Sequence, residues 1–160
     1  MPRNSREWLM LLTSLVSAHL AGAVGAYFTI LSVSTWYVFI EKPDFAPADS
    51  VFFPLWLVLY TLMAFAFYLV WRESIWRKDV QTGILWYGAS LLLTLLWPIL
   101  FFGLQNIEYG LIDVLVLMVT VSVTELYFFR VSKVAGVLFL PYLIWVLYAV
   151  LLNYVIVLLN

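Results

Sequence analysis

Long apolar stretches separated by short polar connections dominate this chain of 160 residues. Five stretches hold few or no charged residues, and each has the about 20 residues that a helix needs to cross the hydrocarbon core of a bilayer. Because lipid offers no hydrogen-bond partners, each stretch is predicted to be a helix that satisfies its own backbone. We expect one domain over residues 1–160, an all-α membrane protein built as a five-helix bundle. The predicted helices cover residues 8–33, 51–71, 83–104, 109–129 and 134–159.

The polar connections distribute basic residues unequally between the two sides of the membrane. Since successive connections alternate sides, seven basic residues fall on one side and only Lys42 on the other. This bias predicts a cytoplasmic N-terminus and a C-terminus outside. A prokaryotic inner membrane is the favoured location, because no further targeting sequence is recognisable. The seven are Arg3, Arg6, Arg72, Arg77, Lys78, Arg130 and Lys133.

Composition agrees with a membrane location and excludes several classes of function. Hydrophobic residues make up 66% of the chain and charged residues 11%, whereas about a quarter of residues are charged in soluble domains. There are no cysteines, which excludes disulfides, thiolate metal sites and a cysteine nucleophile. The net charge of -1 indicates no nucleic-acid partner. No catalytic triad, phosphate loop or metal cluster is recognisable, so we expect neither cofactor nor metal.

Aromatic residues recur at helical spacing on predicted helices 2, 3 and 5. Spacings of three and four put such side chains on one face of a helix. Each stripe alone is typical of packing or of the interfacial belt, although Trp145 lies too deep for a belt position. Together the stripes favour an aromatic cleft under the connection formed by residues 36–50. They comprise Phe52, Trp56, Tyr60, Met63 and Phe67 on helix 2, Ser90, Thr94, Trp97 and Phe101 on helix 3, and Tyr142, Trp145, Ala149, Leu152 and Asn153 on helix 5.

Prolines and isolated polar residues interrupt the apolar helices. Pro98 and Pro141 each remove a backbone hydrogen bond, and the resulting kinks either make room between helices 3 and 5 or are tolerated in packing. Asp113 is costly in hydrocarbon, so it is either functional or a structural hydrogen-bond anchor. Glu125 is expected to extend towards the basic side of the membrane. His19 is expected to be a hydrogen-bonded packing residue.

Small residues repeat along one side of helix 1. Ala18, Gly22 and Ala26 are spaced by four, which lets another helix approach closely. That helix belongs either to the same bundle or to a second copy of the chain, so a homodimer is possible.

The polar residues do not form the patterns typical of channels or coupled transporters. There is no ring of charges for ion selection, and five helices cannot divide into two equal repeats. What remains is a large aromatic cleft, which suits a flat hydrophobic ligand.

The stretch WYVFIEKPDFAPADSVFFPLWLVLYTLM, at residues 36–63, resembles the signature of the translocator proteins. This TspO/MBR family is also known as the tryptophan-rich sensory proteins or peripheral-type benzodiazepine receptors. Two further blocks are similar to the family, WPILFFG at residues 97–103 and LPYLIW with its following LN at residues 140–153. The resemblance covers all five predicted helices in order.

The resemblance implies a five-helix membrane protein that binds porphyrins, cholesterol and drug-like ligands between its helices. Residues 36–50 then form a lid over the pocket, with Trp36, Lys42, Pro43 and Pro47 matching lid positions of the family. Asp113 matches the acidic residue of helix 4. The matched positions around the cavity are Trp56, Tyr60, Trp97, Trp145, Ala149 and Asn153.

Several positions depart from the family pattern. Ala48 replaces the second proline of the lid pair and Phe45 replaces the usual lid tryptophan, which predicts a less rigid lid with weaker stacking. Thr94 and Gln105 stand where the family often has asparagine and arginine. No basic residue follows Tyr154, so the sterol-recognition pattern of helix 5 is incomplete.

We therefore expect a membrane receptor or carrier that lies in the lipid bilayer and binds a porphyrin or another planar apolar molecule. One alternative is light-driven oxidation of porphyrin, as reported for some relatives, with Trp56 and Trp145 as the reactive residues. Another is a structural or dimer-forming membrane component. The residues expected to bind ligand are Trp36, Phe45, Asp49, Phe52, Trp56, Tyr60, Trp97, Phe101, Tyr109, Trp145, Ala149 and Asn153.

Overall fold

Five long helices make up most of the computed structural model, which describes residues 4–160 apart from the side chains of Asp49, Ser50 and Phe52. Within this part of the chain no strand is present, and all five helices are long and apolar enough to cross a membrane. The chain is an all-α integral membrane protein, as the sequence predicts. The helices are α1 (Ser5–Val33), α2 (Asp49–Trp71), α3 (Lys78–Pro98), α4 (Ile107–Val131) and α5 (Lys133–Leu159).

Polar capping residues start three of the helices. The side chains of Asn4, Asn106 and Ser132 each accept a hydrogen bond from the backbone N–H three residues further along. These bonds satisfy donors that have no partner in the first helical turn. Because caps and first turns are polar, hydropathy alone places helix starts too late: α1 starts three residues, and α3 five residues, before the predicted positions.

The five helices form a closed ring in the order α1, α2, α5, α4, α3. Each helix packs on its two neighbours in this ring, so the space at its centre is shared by all of them. One end, here called the lid end, carries residues 36–50 and the connection between α3 and α4. The other, the basic end, carries the start of α1 and the connections α2–α3 and α4–α5.

Stacked aromatic rings fill the half of the bundle next to the basic end. The rings of Phe67 and Tyr87 are nearly parallel, with centroids 4.2 Å apart. Tyr87 stacks on Phe128 at 5.8 Å, and Phe128 packs on Phe139 at 5.0 Å. We call these four residues, contributed by α2, α3, α4 and α5, the aromatic floor. Because these four rings occupy the centre of the helix ring there, the large central cavity lies in the lid half.

Pro98 ends the regular part of α3. A π-helical turn, Ile99–Gly103, follows it, and the Leu104 N–H donates to the Ile99 carbonyl at 2.8 Å. Such wide turns are rare and occur often at functional sites. Pro141 produces no comparable change, because α5 continues through it as one helix. Of the two proline positions, only Pro98 marks a local change in helix type.

The small residues of α1 lie against other helices of the same chain. A Cβ atom at Gly22 would lie 2.6 Å from a ring carbon of Tyr60 on α2. A Cβ atom at Gly25 would lie 3.2 Å from Trp56 and 3.3 Å from Pro98. This side of α1 therefore serves packing within the bundle, and a homodimer, which stays a prediction, would use another surface.

Candidate ligand-binding cavity

A cavity of about 440 Å³ occupies the lid half of the bundle, above the aromatic floor. Its volume lies within the range of roughly 300–1,000 Å³ that is usual for small-molecule sites. All five helices contribute side chains to its lining, and the lid contributes Tyr37. Most of these side chains are apolar, and the polar exceptions are few. The cavity thus has the size and chemistry for one hydrophobic small molecule.

Three tryptophans from three different helices line the cavity. Trp56 of α2 meets the ring of Tyr60 edge to face at 6.0 Å, and both rings face the cavity. Trp97 of α3 stacks on Phe101 at 5.1 Å with an angle of 18° between the rings. Trp145 of α5 packs on Tyr148 at 5.2 Å. Because the indoles come from different walls, a flat ligand in the centre would have aromatic surfaces around it.

Hydrogen bonds hold the polar side chains of the wall in place. The Trp97 indole Nε1 donates to Asn153 Oδ1 at 3.3 Å, and Asn153 Nδ2 donates to the Ala149 carbonyl at 2.8 Å. The hydroxyls of Thr94 and Tyr142 form a short hydrogen bond between α3 and α5. These polar groups are available to orient a ligand in a mostly apolar cavity.

His19 lies in the lining on the α1 side. Its Nδ1 donates to the Leu15 carbonyl at 2.9 Å, and its Nε2 lies 3.3 Å from the Thr61 hydroxyl of α2. It is therefore hydrogen-bonded, as the sequence predicts, and it also borders the cavity. Among the side chains that the structure describes, no group of three or more histidine, aspartate or glutamate residues is arranged to hold a metal ion.

The lid closes the cavity at its end through side chains and hydrogen bonds. Tyr37 is buried, with its ring edge to face on Phe102 at 5.4 Å. Lys42 Nζ lies 4.3 Å from the centre of the Tyr37 ring and donates to the Tyr37 carbonyl at 2.7 Å. Asn160, after the end of α5, donates to the Glu41 carbonyl and accepts from the Glu41 N–H, each at 3.0 Å. The two Asn160 bonds attach the lid to the end of α5.

A second contact between the lid and α5 involves Phe45. The Tyr148 hydroxyl donates to the Phe45 carbonyl at 2.9 Å, and the two rings pack edge to face at 6.3 Å. Since Tyr148 also packs on Trp145, the position of the lid is linked to one wall of the cavity.

The residues predicted to bind ligand have different positions around this cavity. Trp36 packs on Phe101 at 5.5 Å, behind the lining, and Phe45 lies in the lid. Tyr109 is half exposed at the start of α4 and is not part of the lining. The side chains of Asp49 and Phe52 lie outside the described part of the structure. The predicted residues that do line the cavity are Trp56, Tyr60, Trp97, Phe101, Trp145, Ala149 and Asn153.

Helix α1 supplies a wall that the sequence reasoning did not assign to the site. Gly22, Ala23, Ala26 and Ile30 all line the cavity. Gly22 and Ala26 belong to the repeat of small residues recognised in the sequence, but that repeat was interpreted only as a surface for helix packing. A repeat of small residues opposite aromatic stripes was the available signal for a cavity wall.

Two of the acidic residues of α4, Asp113 and Glu125, lie inside the bundle and do not line the cavity. Asp113 is 4% exposed and Glu125 is 6% exposed. None of their four carboxylate oxygens has a hydrogen-bond partner among the described residues. Glu125 is buried and forms no ion pair with the described basic residues, and its expected extension towards the basic end stays a prediction. Asp113 faces the interior, as its sequence context predicts.

Comparisons with known proteins agree with this architecture. A TspO/MBR family model matches residues 14–159, from within α1 to the end of α5. The chain is 41% identical over 152 residues to the tryptophan-rich protein TspO of Archaeoglobus fulgidus, covering 95% of this chain and 97% of that protein. It is 37% identical over 139 residues to the protein of the same name from Chlorobaculum tepidum, covering 87% and 88%. It is 31% identical over 150 residues to the human translocator protein, covering 92% and 88%.

Proposed function

Because this chain belongs to the TspO/MBR family, we propose that its cavity binds a planar hydrophobic ligand, most specifically a porphyrin or related tetrapyrrole, in a receptor or carrier role. The family and the five membrane helices identify the class of protein. The ligand is our inference from the cavity.

The observation that carries the proposal is the aromatic-lined cavity itself. About 440 Å³ of space is lined by the indoles of Trp56, Trp97 and Trp145 together with small residues of α1. Aromatic side chains contribute large apolar contact areas and favour offset stacking or edge-to-face packing with other rings. A flat conjugated macrocycle meets such walls with both its faces and its edges. A flexible acyl chain has no aromatic ring to stack on these indoles, so it would gain less from this lining.

The polar groups of the cavity support a ligand with few polar atoms. The indole N–H of Trp97 and the amide of Asn153 already bond each other, as do the hydroxyls of Thr94 and Tyr142. A ligand carbonyl or carboxylate could accept from one of these donors in exchange for its present partner. Since buried polar groups are costly when unpaired, such an exchange would select the orientation of the ligand.

Quenching of tryptophan fluorescence by protoporphyrin IX tests the proposal. We expect saturable quenching in detergent solution, because the macrocycle would lie next to three indoles. Ala149→Phe, which fills the cavity from α5, is expected to weaken the quenching strongly. Ile144→Phe is the matched control, since Ile144 is on the same helix and exposed towards lipid. Equal quenching of both variants and the original protein would refute binding in the cavity.

Photo-oxidation of a bound porphyrin is a second candidate, favoured by the position of two indoles. Trp56 and Trp145 both line the cavity, on α2 and α5. A porphyrin excited by light in the presence of oxygen would have an oxidisable side chain on either side. Illumination of the aerobic complex is expected to change the porphyrin absorption spectrum, and Trp145→Phe is expected to slow that change. Unchanged spectra with binding intact would exclude the activity and leave the receptor proposal standing.

The orientation in the membrane is part of the same proposal. Because basic residues concentrate at one end of the bundle, we place that end in the cytoplasm and the lid end outside, in a prokaryotic inner membrane. Cysteine labelling with a membrane-impermeant reagent tests this placement at exposed positions. A cysteine at Asp44 should react from outside the cell, and one at Lys78 should react only after the membrane is opened.

A further inference from the structure

The π-helical turn Ile99–Gly103, called the π turn from here on, places two consecutive aromatic residues beside one tryptophan. Phe101 stacks on Trp97 with ring centroids 5.1 Å apart, and Phe102 meets Trp97 edge to face at 5.7 Å. In a regular helix, successive side chains point about 100° apart, so Phe102 would turn away from Trp97. The wider turn therefore allows both phenylalanines to line the cavity together with Trp97.

The π turn changes the backbone hydrogen bonds at this helix end. The Leu104 N–H donates to the Ile99 carbonyl, five residues back, at 2.8 Å. The Asn106 N–H donates to the Leu100 carbonyl at 3.3 Å. In a regular helix, the Asn106 N–H would be the partner of the Phe102 carbonyl, four residues back. Because an unpaired buried carbonyl is costly, the Phe102 carbonyl needs a donor from another part of the bundle.

Ser32, in the last turn of α1, supplies this donor. Its hydroxyl donates to the Phe102 carbonyl at 2.7 Å, and Ser32 is buried. Other hydroxyls of α1 bond within their own helix, since Ser14 and Thr29 each donate to the carbonyl four residues back. The Ser32 bond instead joins α1 to a segment 70 residues further along the chain. It is therefore a tertiary contact that acts on the shape of the π turn.

Close packing surrounds the π turn on two sides. A Cβ atom at Gly103 would lie 2.9 Å from the ring of Phe28, which is one helical turn before Ser32 on α1. A Cβ atom at Gly110 of α4 would lie 2.6 Å from the ring of Phe101. Because both sides are closely packed, a change in the path of the π turn would also move the aromatic side chains that it presents to the cavity.

We propose that Ser32 is a positioning residue for the ligand. Its bond to the Phe102 carbonyl stabilises the π turn in the shape that brings Phe101 and Phe102 against Trp97. Without this hydroxyl, the Phe102 carbonyl regains a partner only from its own helix, and the turn relaxes towards regular helix with Phe102 directed away from Trp97. A planar ligand then loses part of the aromatic wall that α3 and the π turn provide. This inference rests on the proposed function, because it assigns Ser32 a role in binding at the same cavity.

Two measurements on the full-length protein in detergent test the proposal, one without ligand and one with protoporphyrin IX. The first is amide hydrogen exchange at Leu104, followed by NMR, because this N–H forms the bond to Ile99 that defines the turn. We expect Ser32→Ala to accelerate the exchange roughly tenfold, since a buried acceptor left unpaired has a cost of that order. The second is tryptophan quenching, in which Ser32→Ala should bind protoporphyrin IX about fivefold more weakly. Ser32→Thr keeps the hydroxyl and should restore both values.

Ser14→Ala is the matched control. Ser14 is also buried on α1, and its hydroxyl donates to the Met10 carbonyl at 2.8 Å. Since Ser14 does not line the cavity and does not contact the π turn through this bond, the control should change neither Leu104 exchange nor protoporphyrin affinity. A general loss of stability would affect both alanine variants and would not be reversed by Ser32→Thr.

Three results would overturn the proposal. They are unchanged Leu104 exchange in Ser32→Ala, equal acceleration in Ser14→Ala, and faster exchange in Ser32→Ala with unchanged protoporphyrin affinity. Absence of quenching in the original protein would refute the proposed function and with it the role of Ser32 in binding. The exchange of Leu104 would still show in that case whether Ser32 stabilises the π turn, so the two failures are distinguishable.

Discussion

Replacing Gly22 by alanine tests the closest approach between α1 and the aromatic wall of the cavity. A Cβ atom at Gly22 would lie 2.6 and 2.7 Å from two ring carbons of Tyr60, which is closer than van der Waals contact allows. Either the helices separate or the Tyr60 ring moves into the cavity. Overpacking of this kind costs about 1–3 kcal/mol. Alanine recovers about 1 kcal/mol of helix propensity over glycine, so we expect a net loss in the free energy of unfolding of up to about 2 kcal/mol.

Gly88→Ala is the matched control for this experiment. Gly88 lies on α3, and a Cβ atom there would meet no other atom within 4 Å. The control gains the propensity of alanine without a clash, so its stability should rise by up to about 1 kcal/mol. Stability is measured by unfolding in mixed detergent micelles. The effect of each substitution on the cavity is measured as a change in protoporphyrin affinity. We expect Gly22→Ala to lose both stability and affinity. Identical behaviour of the two variants would refute the packing of α1 on Tyr60 described here.

Three further predictions concern the lid, the floor and the polar contact between α3 and α4. Asn160→Ala removes both hydrogen bonds to the Glu41 backbone. Protoporphyrin should then dissociate about tenfold faster in stopped-flow measurements. An unchanged rate would show that this contact does not retain the ligand. Phe139→Ala opens a cavity in the aromatic floor and should cost about 3–5 kcal/mol of unfolding free energy, whereas a loss below about 1 kcal/mol would contradict tight packing there. The hydroxyls of Ser90 and Thr124 share one hydrogen bond of 3.1 Å. A double-mutant cycle of Ser90→Ala and Thr124→Ala should therefore give a coupling energy of about 0.6 kcal/mol. Simple additivity of the two losses would argue against the bond.

The number and type of helices could be predicted because the bilayer imposes one simple rule. Residues that cross hydrocarbon must be apolar and helical, and this pattern is visible without any tertiary contact. Helix ends follow a different rule, since their orphan N–H groups are satisfied by polar caps such as Asn4 and Asn106. Hydropathy gives no signal for a cap such as Asn4 or for the mostly polar first turn of α3 at residues 78–82, so the starts of α1 and α3 were placed too far along the chain.

The aromatic part of the site was accessible from sequence, and the small-residue part was not. Tryptophans at helical spacing indicated faces with a common chemistry, and the family resemblance assigned Trp56, Trp97 and Trp145 to one cavity. Gly22 and Ala26 carry no such chemistry, because a small residue either permits a close helix contact or borders an open space. Only the positions of the neighbouring rings decide between these two roles, and those positions depend on tertiary structure.

Glu125 shows why the burial of a charged residue is difficult to predict from its neighbours in sequence. Its separation of five residues from Arg130 suggested a position near polar headgroups. In the structure α4 contacts both α3 and α5, and the burial that results extends to Glu125. Arg130 lies over the Tyr127 ring at 5.3 Å and forms no ion pair with Glu125. The number of helices surrounding α4 was the missing information.

A structure of the protein with protoporphyrin IX is the most direct measurement of whether the aromatic cavity is a ligand site. We predict density for the macrocycle beneath the lid, between the indoles of Trp56 and Trp145, with Trp97 and Asn153 at its edge. Density for the macrocycle only on the lipid-facing surface of the helices, with the central cavity empty, would contradict the account.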